Sequence, residues 1–367
     1  MWRSVRAPEW PLRVYRGLIW RVWLWARGRY YLRPGTFIRR GEVWLHADAP
    51  LPNGLEPKAD RPGIKNWMWP IGKRPLLSLI GPVRRFTAPP NARGGYEAVL
   101  DKGGSVLAID PPGGRTCRAG RDLIFSETYE TTRQKLQQHV RGPKFHIPRD
   151  RRSLHEEWVA GVPLRQVPPE SAIRVARQLL EGYEGLIRSA SWSVPFSEYY
   201  RALVEAVPDQ EVKELIESAV SSSGVLNALD RVALIPSHGE AGWHNIVVHR
   251  SGAVLIDWET KTVGWKPFWV DVLSVAGAPN GEMWRKGYFE SVLSQVWSAG
   301  GGEYSAFSSR LDRIRALKML SHVARRTTTV EKEDDSISVQ AIEGSGLPRL
   351  WNQDQRRRVR DRVKRLA

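Results

Sequence analysis

Residues 237–260 read SHGEAGWHNIVVHRSGAVLIDWET. Two short apolar runs, Ile246–Arg250 and Ala253–Asp257, flank Ser251-Gly252, and that pattern predicts a β-hairpin. A tight hairpin brings its outer ends together, so Glu240 and Asn245 before the first strand meet Asp257 after the second. Two carboxylates and a carboxamide at one sheet end suit a divalent cation that prefers hard oxygen ligands, magnesium above all, with a base beside it. His238, Glu240, His244 and His249 also carry zinc-ligand chemistry, but their spacing matches no pattern in which two His share a helical turn. Trp243, Trp258, Trp265 and Trp269 crowd the same region, and core packing is the expected use for them.

Outward from this hairpin the chain divides by periodicity. After Pro168-Pro169, apolar residues Ala172, Val175, Ala176, Leu179, Leu180, Tyr183, Leu186 and Ile187 recur at helical spacing. Further helices are predicted near 197–207, 209–221, 281–298 and 303–325, with a short strand at Val232–Ile235. Before residue 160 the pattern is β-like: Tyr96–Leu100 and Ser105–Ile109 around a turn at Asp101–Gly104, then one helix over Phe125–Val140. Gly94-Gly95, Gly103-Gly104 and Gly113-Gly114 read as ordinary turns. Glu331–Asp335 reads as a solvated acidic loop. The expected organisation is a basic, Trp-rich extension over 1–75, a small lobe over 76–160, a helical lobe over 161–335 and a basic tail over 336–367.

At these residues the chain resembles the aminoglycoside phosphotransferase and choline kinase family, relatives of the protein kinases. The family's catalytic loop is His-Gly-Asp, four residues, then Asn; here it is His238-Gly239-Glu240, four residues, then Asn245. The family's metal motif matches Ile256-Asp257-Trp258-Glu259, and Gly264, Pro267 and Asp271 follow with slightly wider spacing than the family's. Glu156–Leu164 resembles the segment joining the two lobes. The resemblance covers roughly residues 95–325 and implies a two-lobed α+β protein-kinase-like fold, with a β-rich small lobe and a mainly helical large lobe.

It also implies roles. Asn245 and Asp257 hold Mg²⁺ against the phosphates of ATP, and the backbone of Trp158, Val159 and Ala160 holds adenine. Glu240 accepts the proton of the acceptor hydroxyl, His238 orients the loop, and Asp271 tethers it from a helix. Glu240 stands where the family has Asp. No Lys stands between Lys102 and Lys135, so the small-lobe cation that pairs with Glu130 falls to Arg115 or Arg118. These departures leave two readings. One is an ATP-dependent phosphotransferase acting on a hydroxyl of a small molecule such as a sugar, an amino alcohol or a lipid-linked glycan precursor. The other is a pseudokinase serving as a nucleotide- or membrane-binding module.

Composition frames both. The 367 residues are 41% hydrophobic, which excludes a disordered chain, and the lone Cys117 excludes a disulfide framework. Ten Arg against one Glu in residues 1–40, and eight Lys or Arg against two Asp in 347–367, account for +15 of the net +17. The body is near neutral and carries no nucleic-acid recognition motif, so binding of nucleic acid is not expected. Residues 12–27, LRVYRGLIWRVWLWAR, form an amphipathic helical pattern that either packs on the body or lies on an anionic membrane surface. No apolar run approaches the ~18 residues of a membrane span. A cytoplasmic chain is expected, peripheral on the inner face of the membrane if residues 1–40 bind lipid.

Overall fold

The β-rich region begins well before residue 76. In the computed structural model, β1 (Thr36–Arg40) pairs antiparallel with β2 (Val43–His46) and with β3 (Arg85–Thr87). β2 in turn pairs with β4 (Ala98–Lys102), so residues expected to form an extension belong to the sheet. Such strands are hard to read because they are short and their partners are remote in sequence. The expected hairpin follows: β4 pairs with β5 (Ser105–Asp110), with Lys102 opposite Ser105. Then come β6 (Arg115–Gly120), β7 (Phe145–His146) and β8 (Ser153–Glu157), giving eight strands in the order β3-β1-β2-β4-β5-β6-β8-β7. The described residues are 33–40, 43–46, 85–87, 98–102, 105–110, 114–120, 124–207, 209–250, 252–260, 262–333, 336–341, 357, 360, 361, 363 and 364. The helical pattern over 12–27 lies outside them.

The chain forms two compact units, one from Met1–Phe125 with Lys144–Ala160 and the other from Ser126–Pro143 with Gly161–Ala367. The first carries the eight-stranded sheet. The helix expected in the small lobe, α1 (Glu127–Gln137), belongs to the second unit. It starts where Ser126 accepts the Tyr129 N–H at 3.0 Å, satisfying a donor that has no intrahelical partner. Its buried face of Tyr129, Thr132, Arg133 and Leu136 packs toward strands of the second unit.

The second unit is mainly helical. α2 (Pro169–Ala190) begins at Pro, whose missing N–H costs nothing in the first turn. Leu180, Tyr183, Leu186 and Ile187 of α2 are all buried, and each large side chain removed from water contributes about 1.5–3 kcal/mol. α3 (Phe196–Glu205), α4 (Gln210–Ser223) and the short α5 (Val225–Ala228) follow. α6 (Trp269–Val275), which carries Asp271, comes after the hairpin. The stretch predicted as one helix over 281–298 is two, α7 (Glu282–Arg285) and α8 (Glu290–Gly300), because Gly287 turns with φ +73° between them. The next splits likewise into α9 (Ser305–Ser308) and α10 (Leu311–Thr327).

Small sheets position the loops. β11 (Arg231–Ser237) runs between β10 (Trp192–Pro195) and β14 (Gly264–Pro267). The hairpin of β12 (Ile246–His249) and β13 (Gly252–Leu255) carries β9 (Val162–Pro163) on its other edge. Glu331–Asp335 corrects an expectation: Glu331–Glu333 are in β15 (Thr328–Glu333), which pairs with β16 (Ser336–Ala341). Alternating Thr, Val and Ile supply the strand pattern there, outweighing the acidic composition. The basic tail is partly engaged. Arg360 meets Asp209 and Glu211 at 2.9 Å each, Lys364 meets Glu211 at 2.5 Å, and Val363 is buried.

Candidate active site

The predicted hairpin forms, but with Ile246 opposite Leu255 and His249 opposite Gly252, so Gly252 belongs to β13 rather than to the turn. One step beyond, the Ile256 N–H donates to the Asn245 carbonyl at 2.8 Å. Asn245 and Asp257 are thereby neighbours at the open end of the hairpin. Trp243–Asn245 form a single 3₁₀ turn leading into β12, so Asn245 is delivered by a short rigid element.

Asn245 is buried, and its Nδ2 donates to the Glu240 carbonyl at 2.9 Å, closing the loop between them. The Gly242 N–H donates to the same carbonyl at 2.8 Å. With Nδ2 so committed, the carboxamide presents its Oδ1 as the remaining ligand atom. Asp257 has φ +61°, a left-handed conformation that a non-glycine residue holds only when its surroundings impose it. Its neighbours do: Trp258 has no exposed surface, and its Nε1 donates to the Leu255 carbonyl at 2.7 Å.

Asp271 fixes the other side of the loop. Its carboxylate accepts from the Ser237 hydroxyl (2.8 Å), the His238 N–H (2.8 Å), the Gly239 N–H (2.9 Å) and the Tyr183 hydroxyl (3.1 Å). A buried carboxylate is tolerable only when saturated in this way. Burial, and then the Asp271 carboxylate, push the Tyr183 hydroxyl well above its ordinary pKa, so Tyr183 is a permanent donor. Lys266 is also buried, donates to the Ala324 carbonyl at 3.0 Å, and is drawn down to about 8 by burial while Asp271 opposes the shift. Gly239 turns with φ +79°, and a Cβ there would meet the Thr262 carbonyl, so no larger residue fits this loop.

His238 is enclosed. Its Nε2–H donates to the Ile256 carbonyl at 3.0 Å and its Nδ1 accepts the Glu240 N–H at 3.3 Å, which defines a neutral imidazole. It meets Trp258 edge-on at 4.8 Å. Burial pushes its pKa down to about 4 from 6.5, against the pull of Asp271 and Asp257. The unfolded chain therefore takes up a proton between pH 6.5 and 4 that the folded site refuses. The contribution of His238 is complete above pH 6.5 and is lost as pH falls toward 4, at about 1.4 kcal/mol per pH unit. Urea unfolding from pH 7 to 4.5 should show that slope, and His238→Gln should flatten it; equal slopes would show that His238 does not titrate in this window.

The other candidates are placed as follows. Arg115 and Arg118 both lie on β6, three residues apart and so on opposite faces of the strand. Arg115 donates Nε to Asp110 at 2.8 Å within its own sheet. Glu130 is on α1, in the other unit. Trp158, Val159 and Ala160 follow β8, and the Trp158 N–H donates to the Gly114 carbonyl at 2.8 Å. His244 is exposed and His249 half-buried. Among the described residues no group of three or more His, Cys, Asp or Glu is gathered to hold a metal, so the zinc alternative is set aside. Trp258, Trp265 and Trp269 are buried, as core packing requires. Tyr183 and Ser237 were not legible as loop anchors, since a helix-face Tyr and a strand-end Ser carry no distinguishing pattern.

Among solved structures, the chain is similar to small-molecule phosphotransferases. A GDP complex of aminoglycoside 2'-phosphotransferase-IIIa is 14% identical, covering 62% of this chain and 83% of its own, at a TM-score of 0.42. The macrolide 2'-phosphotransferase MphH from Brachybacterium faecium is 13% identical, covering 60% and 80%, at 0.41. A choline/ethanolamine kinase family protein from Mesorhizobium loti is 13% identical, covering 64% and 81%, at 0.40. No family model and no curated protein matches the chain. Among the described residues no helix is long and apolar enough to cross a membrane.

Proposed function

We propose that this chain is an ATP-dependent phosphotransferase acting on a hydroxyl of a small molecule. One observation carries the reading: the Asn245 carboxamide is locked by Nδ2 to the Glu240 carbonyl, beside an Asp257 held in a left-handed turn. That arrangement suits a cation site, since Nδ2 is spent on the loop and a carboxamide oxygen and a carboxylate remain as hard ligands. Mg²⁺ bound to Asn245 and Asp257 would neutralise charge on the phosphates of ATP.

The chain's own groups supply the rest. Glu240 takes the proton of the acceptor hydroxyl as its oxygen bonds to the γ-phosphorus and ADP leaves. Asp271 and His238 keep the Glu240 backbone fixed while this happens, which matters because a displacement of ~1 Å costs ~100-fold in rate. The acceptor is a sugar, an amino alcohol or a lipid-linked glycan precursor; the amphipathic, Arg-rich sequence of residues 12–27 favours the last. A second reading, a pseudokinase that binds without catalysing, draws support from Arg115, which is already paired with Asp110.

Glu240 separates the two. Transfer of phosphate from ATP to a panel of hydroxyl acceptors, followed by ADP release, should fall about 10²–10⁴-fold in Glu240→Gln, the range of a lost general base. ATP binding should persist. Glu240→Asp should retain or raise turnover. Absence of turnover in the native chain and in Glu240→Asp, with ATP still bound, selects the pseudokinase.

A further inference from the structure

The chemistry assigned to Glu240, Asn245 and Asp257 makes no use of Arg133, a buried charge of the same unit. Arg133 on α1 has no exposed surface, and its guanidinium lies 4.6 Å from the ring centroid of Trp258, the residue after Asp257. Its Nη1 donates to the Tyr129 hydroxyl at 3.2 Å and its Nη2 to the Pro143 carbonyl at 3.2 Å. The Tyr129 hydroxyl donates onward to the Trp258 carbonyl at 3.2 Å. Gln137 donates to the same Pro143 carbonyl at 3.0 Å, and the Leu255 N–H donates to the Arg141 carbonyl at 2.9 Å. A Cβ at Gly142 would strike the indole, so the backbone after α1 lies directly against it.

Burying a guanidinium is costly, and a Met or Leu would fill the same space without the penalty. A planar cation does what neither can: it stacks on an indole face while directing donors in its own plane to two fixed oxygens. The stack and the Tyr129 bond grip Trp258 by ring and by carbonyl together. Asp257, one residue earlier, sits in a conformation that persists only where its surroundings dictate it. We propose that Arg133 is a positioning residue that holds the Asp257 turn in its cation-binding conformation, acting through Trp258. This rests on the cation site proposed above.

The test is the Mg²⁺ dependence of stabilisation by ATP, read as the magnesium concentration giving half of the thermal shift at fixed ATP. Arg133→Met should raise that midpoint about 10–100-fold, the usual effect of removing a group that orients a metal ligand. The shift at saturating magnesium should remain. Tyr129→Phe removes a single oxygen and should move the midpoint in the same direction by less; it decides the matter if Arg133→Met does not fold. A lowered melting temperature with an unchanged midpoint would show that Arg133 only packs, and would overturn the inference while leaving the cation site standing. A native chain that shows no magnesium-dependent shift at all would overturn the cation site, and the inference with it.

Discussion

Asp257→Asn should abolish the magnesium-dependent stabilisation by ATP that the proposed site predicts, and should leave the fold intact. Asn tolerates the left-handed region as well as Asp does, so the turn at φ +61° survives the change. What the change removes is the negative charge on which the proposed cation site depends. At ATP near 100 times its dissociation constant the native chain should gain about 2.7 kcal/mol. For a chain of 367 residues that is a rise of about 3–4 °C in melting temperature. The variant should show little of it, and phosphate transfer should fall roughly 10²–10³-fold, the scale for losing one electrostatic element of an active site. Differential scanning fluorimetry with and without Mg²⁺ reads the first effect and ADP release the second. An unchanged shift together with unchanged turnover would remove Asp257 from the site.

The largest loss of stability should follow Asp271→Ala. Four donors converge on that carboxylate, from Ser237, His238, Gly239 and Tyr183, and all four residues are buried or nearly so. Each buried donor left without an acceptor costs about 1–3 kcal/mol, and the buried Lys266 loses the nearby opposite charge as well. Partial relaxation and entry of water reduce the sum, so a net cost of about 3–5 kcal/mol is expected. Asp271→Asn should cost less, because one oxygen is kept while the amide nitrogen faces a donor. Urea unfolding of both variants measures this order. A loss below about 1 kcal/mol for Asp271→Ala would mean that the loop is held by something else, and the positioning of Glu240 would need another account.

Most of the helical unit was legible in the sequence. α2 follows from apolar residues at helical spacing behind Pro168-Pro169, and the β12–β13 hairpin from two apolar runs about Ser251-Gly252. Local periodicity and turn chemistry act over a few residues, so a single segment contains the information. β1 and β2 were not legible, because a short strand is defined by the partner it meets, and β2 meets β4 across more than fifty residues. The breaks at 286–289 and 309–310 were missed for a related reason: helical periodicity can run across a break of a few residues without interruption.

The sequence by itself marked His238, Glu240, Asn245 and Asp257 as the candidates for the proposed chemistry, since their order and spacing follow from one loop and one hairpin. Only the tertiary structure decided what holds them. Tyr183 reaches Asp271 across 88 positions and Tyr129 reaches the Trp258 carbonyl across 129. Arg133 stacks on Trp258, and Asn245 turns its Nδ2 to a carbonyl rather than to solvent. Hydrogen bonds and ring contacts act over a few ångströms in space and are indifferent to separation along the chain. A residue's type records what it can donate or accept, and only packing selects the partner.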